Sequence, residues 1–120
     1  MAKRIIIAED DENARNTLAD LILECTADVE IVTVSNGKDL LDKVRADNYS
    51  LVFTDYEMPP GITGIEAIKQ IRSFNPTIPI YMISGGGVKK EAMEVGATDY
   101  IKKTERYTKK LVEILNKHLK

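Results

Sequence analysis

Three apolar runs, Ile5-Ile6-Ile7-Ala8, Leu51-Val52-Phe53-Thr54 and Ile80-Tyr81-Met82-Ile83, constrain this chain more than any other feature. A strand with one wet face alternates polar and apolar residues, so unbroken runs of this length mark strands covered on both faces. Two weaker segments join them: Ile31-Val32-Thr33-Val34, ended by Asn36-Gly37, and the brief Tyr100-Ile101. Helical spacing fills the intervals. Ala14, Leu18, Leu21, Ile22 and Cys25 mark a first helix over 13–25, and Leu40, Leu41 and Val44 a second. Ile65, Ile68 and Ile71 mark a third, which stops before Pro76. A short fourth helix carries Ala92, Met93 and Val95 and closes at Gly96; a fifth aligns Tyr107, Leu111, Ile114, Leu115 and His118 or Leu119. Five strands alternating with five helices predict an α/β fold, a parallel sheet with helices on both faces.

At 120 residues, with no repeat or linker, the chain reads as one domain spanning 1–120. Its 17 basic and 19 acidic residues leave a net charge of -2, which provides no field for recruiting nucleic acid. Lys3 and Arg4 precede only a short apolar run, so neither a signal peptide nor a membrane span is read, and a cytoplasmic location is expected. One cysteine and one histidine cannot build a structural zinc cluster. Cys25 reads as a small buried hydrophobe, and His118 as a histidine stabilised in its charged form in the last turn of a helix.

Parallel sheets of this kind place functional groups at the carboxyl ends of their strands, beside a switch in strand order. Those ends are rich in polar groups. Glu9-Asp10-Asp11-Glu12 follows the first strand, Asp55-Tyr56-Glu57 the third, Ser84-Gly85-Gly86-Gly87 the fourth and Lys102-Lys103-Thr104 the fifth. Each has an ordinary reading: Asp11 and Glu12 complement a helix N-terminus, Asp55 starts a turn, Ser84 caps a helix, Lys103 is a surface lysine. Converging on one rim, they instead make a cluster of hard oxygen ligands with a hydroxyl and an ammonium, suited to a divalent cation and a phosphoryl group. An aspartate in such a setting serves as a nucleophile.

In this order and spacing the motifs resemble the receiver (CheY-like) domains of two-component response regulators. The matching stretches are 4–12 with Arg15, 51–59 with Gly64, 80–85 and 96–103. The resemblance implies a five-stranded, doubly wound sheet of order 2-1-3-4-5. It implies Asp55 as phosphoacceptor, receiving a phosphoryl group from a sensor histidine kinase or phosphotransfer protein. Arg15, five positions after the second acid of the family's pair, selects Glu9 and Asp10, with Asp11 as a neighbour able to substitute. Mg2+ would then be held by Asp10, Asp55 and the backbone carbonyl of Glu57, with Glu9 acting through water. Ser84 matches the hydroxyl that contacts the phosphoryl group, Lys103 the family's ammonium, and Tyr100 the aromatic switch that swings inward. The face made by the fourth helix, fifth strand and fifth helix would carry the signal to a downstream protein, and the first helix, with Arg15 and Leu18, and the loop 104–106 would meet the kinase.

Four departures accompany the resemblance. The loop 58–64 is one residue longer than is usual in the family, the stretch 84–96 about three residues shorter, Gly85 to Gly87 are all glycine, and Thr104 replaces the proline usual after the lysine. These predict a stunted fourth helix and a displaced Lys103 loop. Glu57 is expected to alter phosphoryl lifetime. An aspartate-dependent phosphatase would need a second aspartate where Glu57 stands, and a substrate cap that is not visible. A receiver-like adaptor working without phosphorylation is the other alternative. No output domain follows the fifth helix, which fits a stand-alone regulator or a receiver from a longer protein equally.

Overall fold

The computed structural model describes residues 3–103 and 107–119. Its elements run β1 (Lys3–Ala8), α1 (Glu12–Cys25), β2 (Val29–Val34), α2 (Gly37–Ala46), β3 (Leu51–Thr54), α3 (Gly64–Phe74), β4 (Ile80–Ser84), α4 (Lys89–Glu94), β5 (Asp99–Lys102) and α5 (Thr108–Leu119). All strand pairs are parallel, in the order β2-β1-β3-β4-β5. The chain thus moves outward from β1 to β2 and then jumps back across β1 to β3. At that reversal the loops after β1 and β3 diverge to opposite faces and open a crevice at their carboxyl ends.

The apolar runs do what their lack of alternation predicts. Ile5 and Ile7, with Leu51, Phe53, Tyr81, Ile83 and Ile101, pack with Leu18 and Ile22 of α1 and Leu111, Ile114 and Leu115 of α5. Their neighbours in the same strands, Ile6, Ala8, Val52, Ile80, Met82 and Tyr100, pack with α2, α3 and α4 on the other face. β2 lies at the edge and is only partly covered, so its apolar residues interleave with the exposed Glu30 and Thr33.

Helix starts follow side-chain chemistry. Asp11, Asn36 and Thr63 cap α1, α2 and α3, each accepting a hydrogen bond from a backbone N–H of the first turn. α4 has only six residues, no side-chain cap at Val88, and a single buried residue, Ala92. The stunted fourth helix expected from the sequence is therefore present. Cys25 departs from expectation: at the end of α1 it is half-buried, packed against the core rather than within it.

His118 also departs. Its Nε2 lies 2.5 Å from the Tyr81 hydroxyl, with the rings edge to face. Burial, and then Lys117 beside it, push its pKa below the usual histidine value, so the fold favours the neutral ring. A lowered histidine pKa gives stability that is complete above the unfolded value near ~6.5 and is lost as pH falls through the folded value. Urea unfolding should accordingly show wild type losing stability relative to His118→Gln below about pH 6.5, with a constant difference between the two above it.

Candidate functional site

Ala8 and Thr54 are register partners, so the residues after them leave the sheet side by side. Backbone bonds fix both exits: Asp55 N–H donates to Ala8 O and Glu9 N–H to Val34 O, each at 3.0 Å. From the end of β5, Lys103 N–H donates to Ser84 O at 2.9 Å. Its ammonium reaches across the crevice to Glu9 Oε1 at 2.5 Å and Asp55 Oδ2 at 2.8 Å. The other Asp55 oxygen, Oδ1, accepts from Tyr56 N–H at 2.7 Å. The structure therefore brings Lys103 to the carboxylates despite the altered loop after it; Thr104 and the loop 104–106 lie outside the described residues.

Asp10 completes the cluster. Single carboxylate oxygens of Glu9, Asp10 and Asp55 lie within 4.8 Å of one another. Asp11 is not one of the three. Its Oδ1 accepts from Asn13 N–H at 3.3 Å as the α1 cap, as its ordinary reading held. The side chain of Glu57 is exposed and outside the cluster. Among the described residues no backbone N–H donates to its carbonyl, whereas the Tyr56 carbonyl is taken by Gly64 N–H at 2.7 Å.

Electrostatics follow from this crowding. Glu9 is buried, and burial raises its pKa to about 7; Lys103 opposes that rise and the nearby Asp55 adds to it. Burial also works against the Lys103 ammonium, but the two carboxylates outweigh it and leave its pKa raised. An acid raised in this way gives stability that is present below its unfolded value and lost as pH rises through 7.

Ser84 and Tyr100 sit one step back. The Ser84 hydroxyl is buried and accepts from Gly86 N–H at 3.2 Å; among the described residues it has no hydrogen bond to Asp55. Tyr100 already lies inward, its hydroxyl donating to the carbonyls of Ser84, at 3.2 Å, and Gly86. Lys110 of α5 donates to Tyr100 O at 2.9 Å and pairs with Asp99 at 3.3 Å, tying β5 to α5.

Two supports of Asp55 carry no role in the sequence reading. The Thr54 hydroxyl donates to Asp55 O at 3.0 Å. A Cβ on Gly64 would stand 1.9 Å from that same oxygen, so only glycine lets the start of α3 close on the end of β3. The available signal was glycine directly after a Thr63 cap, where a larger residue would make a better helix former.

Fold and rim together define a doubly wound α/β domain with three carboxylates and an ammonium gathered at the carboxyl ends of its strands. The response regulator receiver domain profile matches residues 5–116, and the chain belongs to that family, a signalling domain of two-component systems. It is 34% identical over 109 residues to a protein-glutamate methylesterase/protein-glutamine glutaminase of Clostridium acetobutylicum, covering 86% of this chain and 31% of that protein. It is 33% identical over 106 residues to the response regulator protein FleR of Pseudomonas aeruginosa, covering 86% of this chain and 22% of that protein. The chain thus spans about a third or less of the curated relatives it matches. Among solved structures, the response regulator TrrA of Thermotoga maritima, in complex with Mg(2+)-BeF, superposes with a TM-score of 0.85 at 31% identity, covering 96% of this chain and 97% of that one.

Two outcomes follow. In chelator-containing buffer, the stability of Glu9→Gln relative to wild type should rise between pH 5 and pH 8, as read by urea unfolding. Gly64→Ala should cost about 1–3 kcal/mol in the same assay, because the clash falls on backbone rather than on a flexible side chain.

Proposed function

We propose that this receiver domain, read as one unit over residues 1–120, accepts a phosphoryl group on Asp55 from a sensor histidine kinase or phosphotransfer protein and passes the change to a downstream protein in the cytoplasm. The observation that carries the reading is the Lys103 ammonium bridging Glu9 and Asp55 at the crevice between β1 and β3. An ammonium held on a partly buried aspartate neutralises charge where a phosphoryl group would arrive.

The donor set fits Mg2+, since three carboxylates offer hard oxygens within 4.8 Å of one another and the Glu57 carbonyl has no N–H partner among the described residues. Asp10, Asp55 and the Glu57 carbonyl would hold the ion, with Glu9 acting through water. When bound, Mg2+ supplies charge neutralisation on the transferring oxygens.

The remaining steps belong to the chain. An Asp55 oxygen attacks phosphorus in line, a P–O bond forming as the P–N bond of a phosphohistidine breaks. Tyr56 N–H and Lys103 hold the two Asp55 oxygens beforehand, which limits rotation of the carboxylate and presents it to the donor. Lys103 then follows the charge onto the new phosphoryl oxygens. The aspartyl phosphate carries a charge of about -2 where the carboxylate carried -1, so the rim gains about one negative charge. Ser84 turns its hydroxyl from Gly86 N–H toward that charge; Tyr100 needs no inward swing, since its hydroxyl is already bonded to the carbonyls of Ser84 and Gly86, and it moves with that loop. The α4-β5-α5 face is altered as a result. Water attack on the acyl phosphate resets the switch.

Incubation with Mg2+ and a small acyl phosphate should give a base-labile, acid-stable adduct on wild type and none on Asp55→Asn. Lys103→Met should slow its formation by about 10²-fold. Equal labelling of Asp55→Asn would overturn the assignment. An unlabelled wild type would instead point to an adaptor without phosphorylation, and turnover of a phosphate ester to a phosphatase.

A further inference from the structure

Arg15 stands in the first turns of α1 beside the carboxylate cluster, yet among the described residues it forms no ion pair with Glu9, Asp10 or Asp55. Its guanidinium spends a hydrogen bond on the backbone instead, donating through Nη1 to Glu9 O at 2.9 Å. Asp10 is exposed, so side-chain packing does little to hold it in place. Its direction is set by the two peptide planes that flank it. The plane before Asp10 carries the Glu9 carbonyl and is held by Arg15. The plane after it carries the Asp11 N–H, which donates to Glu9 Oε2 at 3.3 Å. Since peptide units are planar, the φ and ψ of Asp10 are the rotations between these two planes, and anchoring one atom of each restrains both.

We propose that Arg15 is a positioning residue for the cation-binding turn, holding the Glu9–Asp10 peptide so that the Asp10 carboxylate faces Asp55. The inference rests on reading Glu9, Asp10 and Asp55 as a Mg2+ site. It opposes simple Coulomb reasoning, in which a guanidinium beside the site repels the ion and its removal tightens binding. Positioning has the other sign: without Arg15 the turn loosens, and ordering it again weakens the ion's affinity.

The test titrates metal-free wild type, Arg15→Met and Arg15→Lys with Mg2+ alone, by calorimetry, and measures Tm and backbone amide order in the same buffer. Methionine keeps the apolar stem and removes the donor; lysine keeps a donor on a slightly shorter stem. Arg15→Met is expected to weaken Mg2+ binding about tenfold. Its Tm should stay within about 5 °C of wild type, while heteronuclear NOE values fall at the Asp10 and Asp11 amides and Arg15→Lys recovers most of the affinity. Unchanged or tighter Mg2+ binding by Arg15→Met overturns the proposal, as does a loss of affinity that only follows a collapse in Tm. If wild type itself binds no Mg2+, the metal-site reading fails first and this inference falls with it.

Discussion

The central strands are covered on both faces, and the position of every charged group in the site answers to that constraint. Between α1 and α5 on one side and α2, α3 and α4 on the other, β1, β3 and β4 hold almost nothing but aliphatic and aromatic surface. Placing an unpaired carboxylate there would cost several kcal/mol. Polar chemistry is therefore displaced to the rim, where the strands end and the topology opens a crevice. Even at the rim, Glu9 is buried enough that its carboxylate is held only with help, and Lys103 provides it. Residues 9, 55 and 103 are far apart in the chain. The sheet register brings them together, and the ammonium keeps them from driving one another apart.

Much of this was legible in the residues themselves. Where both faces are buried, apolar runs leave no choice of element, and β1, β3 and β4 appear where the runs predict. Their ends drew attention to Glu9, Asp10, Asp55, Ser84 and Lys103, because polar groups crowded directly after buried strands are costly unless they serve one another. Boundaries were less legible where burial is partial: β2 begins at Val29 instead of Ile31 because edge pairing with β1 recruits a polar residue, Glu30, that pattern alone leaves out. α5 begins after Tyr107, whose carbonyl accepts the first helical bond, from Leu111 N–H.

What pattern could not reveal depends on distance across the fold. His118 meets Tyr81 through contact between α5 and β4, so a residue that reads as favourably charged at a helix end has its charged form disfavoured by burial there. Asp11 and Asp10, adjacent acids of the same type, divide between a cap and a cluster according to which way the backbone turns after Ala8. Gly64 matters through the atom it lacks, and no periodicity records the approach of one backbone to another. Each of these is a tertiary fact with only a faint local trace.

The six-residue α4 has a thermodynamic consequence. Helices that bury a full stripe can shift only by opening a cavity, at costs comparable with a large share of a domain's stability. α4 buries Ala92 alone, begins without a cap and leaves Met93 in solvent. Among the described helices it buries the fewest residues, which places its local opening toward the low end of the free-energy range that ends at global unfolding. It is joined by three glycines to Ser84, at the rim where charge would change. A helix with so little buried surface can shift without the cavity that a shift of α3 or α5 would open.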